Sequence, residues 1–182
     1  MNPARAARRA AALALLAAAT AIGCTGDGND HAAPAASETP AAPVRAGSDP
    51  SLPIVLQDPQ GRSIRLADFG GKVRLFDVWA TWCGPCRMGI PQLNSLYERY
   101  RGRGLVVVGI SVDDDPSYVV EFEREIPLRY PNGMTNPDVE SLFGEMSAIP
   151  VTFLVDRSGR VRKRFVGLVD EETLEKAIEA LL

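Results

Sequence analysis

Between Pro53 and Leu182 the spacing of apolar side chains changes repeatedly, and each change marks an element. "PIVLQDPQGRSIRL" holds two short apolar runs on either side of "DPQG", where Pro59 suits the first corner of a turn and Gly61 its exit, so a hairpin is expected. "KVRLFDVWA" and "GLVVVGISVD" are near-continuous apolar runs, the pattern of strands covered on both faces. From Cys86 to about Tyr100 the residues Met88, Leu93, Leu96, Tyr97 and Tyr100 recur at helical spacing, with Pro91 inside. Asp115 and Pro116 form an N-cap and first-turn pair for a helix to about Arg124. "NPDVESLFGEM" predicts a shorter helix that Gly144 ends, and "DEETLEKAIEALL" a last one with acidic residues in its first turn. "VTFLVDRSGRVRKRFVG" reads as two strands about a polar "DRSG" turn. A strand–helix–strand unit demands a parallel pair, and the hairpins add antiparallel ones. The expected fold class is therefore α/β, a mixed central sheet flanked by helices on both faces.

The first fifty residues follow another pattern. Arg5, Arg8 and Arg9 precede an apolar run from Ala10 to Ile22, which is too short to span a bilayer and ends in small residues. Residues 1–23 read as a secretory signal. The run closes on "AIGC", which resembles the lipobox of bacterial lipoproteins, with Cys24 as the residue that receives lipid. Ordinary cleavage near Ala21, leaving Cys24 a free thiol, is the alternative. Residues 25–50 contain one large aliphatic, Val44, too little apolar surface to offset ordering. Residues 24–50 are thus expected to be a lipidated cysteine plus a disordered Ala/Pro-rich tether, and 51–182 the folded domain. His31, the sole histidine, falls in the tether.

Charge narrows the partners. The chain carries a net −3, with 16 basic against 19 acidic residues in 51–182, which suggests neither nucleic acid nor an anionic membrane surface as a ligand. A monomer is expected.

Chemistry concentrates in "WATWCGPCRMGIP". Zinc is excluded by counting, because a structural site wants four thiolate or imidazole ligands and the domain has Cys83, Cys86 and no histidine. Export also favours oxidised sulfur chemistry. An inert staple across two intervening residues closes a tiny loop with little entropic leverage. Position favours a reversible redox pair instead. Cys83 falls at a strand-to-helix turn, where free N–H groups and the helix dipole stabilise a thiolate, and Cys86 falls one turn in, shielded but near enough to attack it. Gly84 lets another backbone approach, Pro85 restricts the loop, and Trp82 is expected at the rim of the site, in reach of a client.

"WATWCGPC" followed by Pro91 resembles thioredoxin-fold proteins. With the N-terminal hairpin, the insertion of about 115 to 145 and "IPVTFLVDRSGRV", residues 51–182 are similar to the exported, membrane-attached thiol–disulfide reductases (TlpA- and ResA-like, with an AhpC/TSA-type redoxin domain). That group includes the cytochrome c maturation reductases, so cytochrome c biogenesis is one implied role. The resemblance implies a thioredoxin-like fold, a cis peptide at Ile149–Pro150 beside the sulfurs, and client pairing along the backbone there. It places Asp77, six positions before Cys83, as a buried acid, and Gly167 at the border of the client groove, where a plain strand-end glycine is the alternative. Read as a plain strand residue, Asp77 has an alternative on a solvated face. Gly89 stands where many relatives carry Glu.

The resemblance implies thiol–disulfide exchange in the reducing direction, without a cofactor beyond the Cys83–Cys86 pair. It implies client proteins with disulfides as substrates and a membrane thiol reductase as electron donor. The domain would sit in the periplasm or another extracytoplasmic space, anchored through Cys24. Two rivals remain: a thiol peroxidase, against which Ala80 stands where peroxiredoxins place Thr, and a redox-inert lipoprotein binding module.

Overall fold

The computed structural model describes residues 37–39, 53–144 and 148–182. Residues 1–23, read above as a signal, lie outside the described residues, as do Cys24, His31 and the rest of 24–50 apart from 37–39. Among the described residues eight strands form one mixed sheet: β1 (Ser37–Thr39), β2 (Val55–Gln57), β3 (Ser63–Arg65), β4 (Val73–Trp79), β5 (Leu105–Ser111), β6 (Asn132–Met134), β7 (Val151–Val155) and β8 (Val161–Val166). The helices are α1 (Gly84–Tyr100), α2 (Pro116–Glu125), α3 (Pro137–Phe143) and α4 (Glu171–Glu179). The sheet order is β1-β8-β7-β4-β5-β6-β2-β3. β4 runs parallel to β5, and β5 to β6; β7 is antiparallel to β4 and β8.

The expected mixed sheet between helices is the one observed. Every residue of β4 and β5 is buried, as their unbroken apolar runs require. On one face Val73 and Leu75 of β4 pack with Leu93 and Leu96 of α1 and with Leu174 and Ile178 of α4. On the other, Phe76 and Val78 pack with Val139, Leu142 and Phe143 of α3 and with Leu56 of the hairpin. A third cluster joins Trp79 to Ile90 of α1 and to Val119 and Phe122 of α2, which seats the insertion beside the start of α1. β4 thus presents Val73, Leu75 and Asp77 to α1 and α4, because successive strand residues alternate faces.

Two strands were not expected. Ser37–Thr39 falls inside the segment read as a tether and pairs antiparallel with Arg164–Val166 of β8. Asn132–Met134 joins the N-terminal hairpin to β5, pairing with both β5 and Gln57. Its glycine is a packing requirement: a Cβ on Gly133 would lie 2.6 Å from Leu56 Cβ. The helix predicted from Cys86 begins two residues earlier, at Gly84, with Cys83 as its N-cap.

Candidate active site

β4 delivers the redox pair. After Trp79 the chain makes a tight turn in which Cys83 N–H donates to Ala80 C=O at 3.1 Å, and α1 starts at once. Cys83 and Cys86 are joined by a disulfide with Cα atoms 5.3 Å apart. Cys83 Sγ serves as the helix N-cap acceptor and takes the Cys86 N–H at 3.2 Å. No acidic side chain lies in the first turn, so the unpaired N–H groups and the dipole favour negative charge on that sulfur. Pro85 sits where a helix has no intrahelical use for an N–H. In the disulfide form Cys83 is 5% exposed and Cys86 2%, so the difference between them rests on the cap rather than on accessibility. Trp82, by contrast, is 71% exposed and stands at the rim.

The opposite wall comes from β7 and β8. Ile149–Pro150 is cis. Val151 opens β7 opposite Val166 of β8, and Gly167 N–H donates to Pro150 C=O at 2.9 Å. Gly167 has φ of 89°, in the left-handed region that favours glycine. Ile149 is half-buried against the cluster that contains both cysteines.

Asp77 lies behind the pair, 3% exposed, opposite Thr152 in the β4–β7 ladder. Burial raises its carboxyl from the ordinary 3.8 to about 7, opposed by the hydrogen bond that Thr152 Oγ1 donates to it at 3.2 Å. A small pocket under α1 is lined by Asp77, Pro85, Cys86, Gly89, Pro150, Thr152, Gly167 and Leu168 and leaves about 20 Å³ of free space, room for one water. Of the residues singled out in the sequence, Cys86, Asp77, Pro85, Pro150 and Gly167 therefore meet in one pocket. Cys83 adjoins it through the disulfide, Gly84 is exposed at the first turn, and Cys24 lies outside the described residues. Among the described residues no group of three or more His, Cys, Asp or Glu side chains is placed to hold a metal ion.

Sequence reasoning missed two parts of this site. Thr152, the partner of Asp77, is the single polar residue in "VTFLV", and that was the available signal. Asp113 reaches the loop before Cys83, accepting from Thr81 N–H at 3.0 Å and Thr81 Oγ1 at 2.7 Å. Its signal is the acidic run "DDD", in which Asp115 fills the expected N-cap role and accepts from Ser117 N–H.

A cysteine at a helix N-terminus, a second cysteine one turn in and a buried carboxyl behind it are an arrangement suited to thiol–disulfide exchange. The family model described as the AhpC/TSA family matches residues 48–164. The chain belongs to that family. A protein named thiol-disulfide oxidoreductase ResA from Geobacillus thermodenitrificans is 32% identical over 129 residues, 70% of this chain and 74% of that one. Its namesake from Bacillus subtilis is 29% identical, over 72% and 73% of the two chains. A solved structure titled a putative thiol:disulfide interchange protein DsbE from Chlorobium tepidum superposes with a TM-score of 0.65 at 31% identity, covering 70% of this chain and 92% of that one. This AhpC/TSA-family protein has the thioredoxin-like fold and is a thiol–disulfide oxidoreductase.

Proposed function

We propose that the protein is an exported, membrane-tethered reductase of disulfides in client proteins. The observation that carries the exchange chemistry in this reading is the buried Asp77 carboxyl, raised to about 7, in the same pocket as Cys86 and Pro150. A carboxyl that changes charge near neutrality is suited to take the proton that a buried thiol must lose before it can attack.

In the reduced protein the Cys83 thiolate attacks one sulfur of a client disulfide. A Cys83–client bond forms, the client's S–S bond breaks, and its second sulfur leaves as a thiolate that takes a proton from solvent. Cys86 then gives its proton to Asp77, and its sulfur attacks Cys83. The Cys83–Cys86 bond forms and the mixed bond breaks; the released client sulfur takes the proton from Asp77, directly or through solvent, and the client departs with two thiols, reduced by the two electrons the pair has given up. An extended client segment pairs with the backbone at Ile149 and Pro150, bordered by Gly167, while Gly84 and Pro85 leave room for it and Trp82 offers an apolar platform.

The direction follows from the Gly–Pro centre of the motif, which resembles that of reducing thioredoxins. Recharging requires a thiol donor, for which a membrane thiol reductase is the fitting class in an extracytoplasmic space. Lipid on Cys24 supplies the attachment; among the described residues no helix is long and apolar enough to cross a membrane. Cytochrome c maturation is one process in which such a reductase would act.

Insulin reduction by the reduced protein, with Cys83→Ser as control, tests the reading. Turnover with peroxide alone would assign a thiol peroxidase, and no turnover with either would assign a binding module. Trapping a Cys86→Ser mixed disulfide in cells identifies the client.

A further inference from the structure

The turn that carries Cys83 has an anchor that the exchange chemistry does not use. Of its two central residues, Trp82 is mostly exposed to solvent. Thr81 is held through both of its donors by one side chain: its N–H reaches Asp113 Oδ2 at 3.0 Å and its hydroxyl Asp113 Oδ1 at 2.7 Å. Asp113 is 6% exposed and is itself fixed in both directions by Ser111, whose hydroxyl donates to Asp113 Oδ2 at 2.7 Å and accepts Asp113 N–H at 3.0 Å. Ser111 is buried at the end of β5, opposite Trp79 of β4 and Met134 of β6. The loop before the nucleophile is thus tied through a single carboxylate to Ser111 of β5, a strand that pairs with both β4 and β6.

We propose that Asp113 is a positioning residue for the redox pair. It fixes Thr81 so that the Ala80–Cys83 turn holds Cys83 Sγ at the N-terminus of α1, where Sγ accepts the Cys86 N–H. The proposal rests on Cys83 being the attacking thiol. A side chain that merely adds a charge near the site would behave differently. The Asp113 carboxylate disfavours a nearby thiolate, so taking away its charge alone would lower the Cys83 pKa. Taking away its hold on Thr81 lets the sulfur leave the cap and raises that pKa. The two effects have opposite signs and are separable, because Thr81→Val breaks one bond of the clamp and leaves the charge in place. Thr81→Ser keeps the hydroxyl.

The experiment is alkylation of the fully reduced protein with iodoacetamide across pH 5 to 10, with the modified cysteine mapped by mass and the thiolate followed by its ultraviolet absorbance. Wild type, Asp113→Asn, Thr81→Val and Thr81→Ser are compared, each checked for cooperative unfolding. The expected result is a raised Cys83 pKa in Thr81→Val, with alkylation at pH 6 slowed about threefold to tenfold, a smaller rise in Asp113→Asn, where losing the charge opposes losing the hold on Thr81, and near-wild-type behaviour in Thr81→Ser. A lowered Cys83 pKa in Asp113→Asn with Thr81→Val unchanged overturns the positioning role in favour of a charge effect. Variants that lose stability while Cys83 keeps its pKa overturn it in favour of a structural role. Alkylation of Cys86 before Cys83 in the wild type overturns the assignment of the nucleophile, and the clamp with it.

Discussion

Asp77 and Thr152 face each other across the β4–β7 ladder, and the Thr152 hydroxyl donates to the Asp77 carboxylate at 3.2 Å. Burial raises the carboxyl to about 7 and this hydrogen bond opposes the rise. The relationship makes stability and turnover depend on pH in a defined direction. Below the unfolded pKa of about 3.8 the carboxyl is neutral in both states and costs nothing. Between that value and about 7 the unfolded chain ionises while the folded one keeps its proton, so stability falls as pH rises and reaches its full loss above the folded pKa. The loss is on the order of 4 kcal/mol. Asp77→Asn keeps an acceptor for Thr152 and cannot ionise. In denaturant unfolding of the oxidised form it is expected to match wild type near pH 4 and to exceed it at pH 8.5. Equal midpoints at both pH values would place Asp77 on a solvated face.

The same variant separates stability from catalysis. Cys86 loses its proton acceptor in Asp77→Asn, so single-turnover client reduction at pH 7 is expected to slow by about tenfold to a hundredfold although the fold is more stable. A rate that matches wild type would assign the proton to another acceptor.

Thr152→Val conserves shape and deletes the donor. A hydrogen bond to the charged form favours that form, so its removal moves the Asp77 pKa above about 7. The rising limb of client reduction against pH should shift to alkaline pH by about half a unit to one unit. An unmoved profile would show that Thr152 does not set the ionisation of Asp77.

How much of this could be read in the chain differs by residue. The Cys83–Cys86 spacing at a strand-to-helix junction is local, and so is its chemistry. Asp77 was ambiguous because "VRLFDVW" is apolar on both sides and shows no alternation to say which face the acid takes. That answer comes from Thr152, 75 residues away. The tie from Asp113 to Thr81 spans 32 residues and exists only because β4 and β5 pair in parallel, with Trp79 opposite Ser111. β6 was illegible for a related reason. "NGM" has the composition of a turn, and it becomes a strand because β5 and Gln57 offer it hydrogen-bond partners.

Gly133 tests that last point. An alanine there would bring its Cβ to 2.6 Å from Leu56 Cβ, and neither atom can rotate away because both are fixed to the backbone. Gly133→Ala is expected to destabilise by about 1 to 3 kcal/mol through overpacking, seen as a lower denaturant midpoint. The Cys83–Cys86 equilibrium with glutathione should stay unchanged. A midpoint equal to that of wild type would mean that the hairpin does not pack on β6 as described.

Attachment is tested at Cys24, outside the described residues. If the lipobox-like "AIGC" is processed, the mature chain begins at Cys24 and carries acyl chains there. A single acyl chain holds a protein to a bilayer only marginally, so stable attachment requires two or more. The mature wild type is therefore expected to partition into detergent and to exceed its sequence mass by that of the lipid. Cys24→Ala should be released to the aqueous phase or poorly processed. It should still reduce insulin at the wild-type rate, because the residues proposed for the exchange all lie between Asp77 and Gly167. A mature protein with an unmodified Cys24 would instead fit cleavage near Ala21 and a domain that acts unanchored.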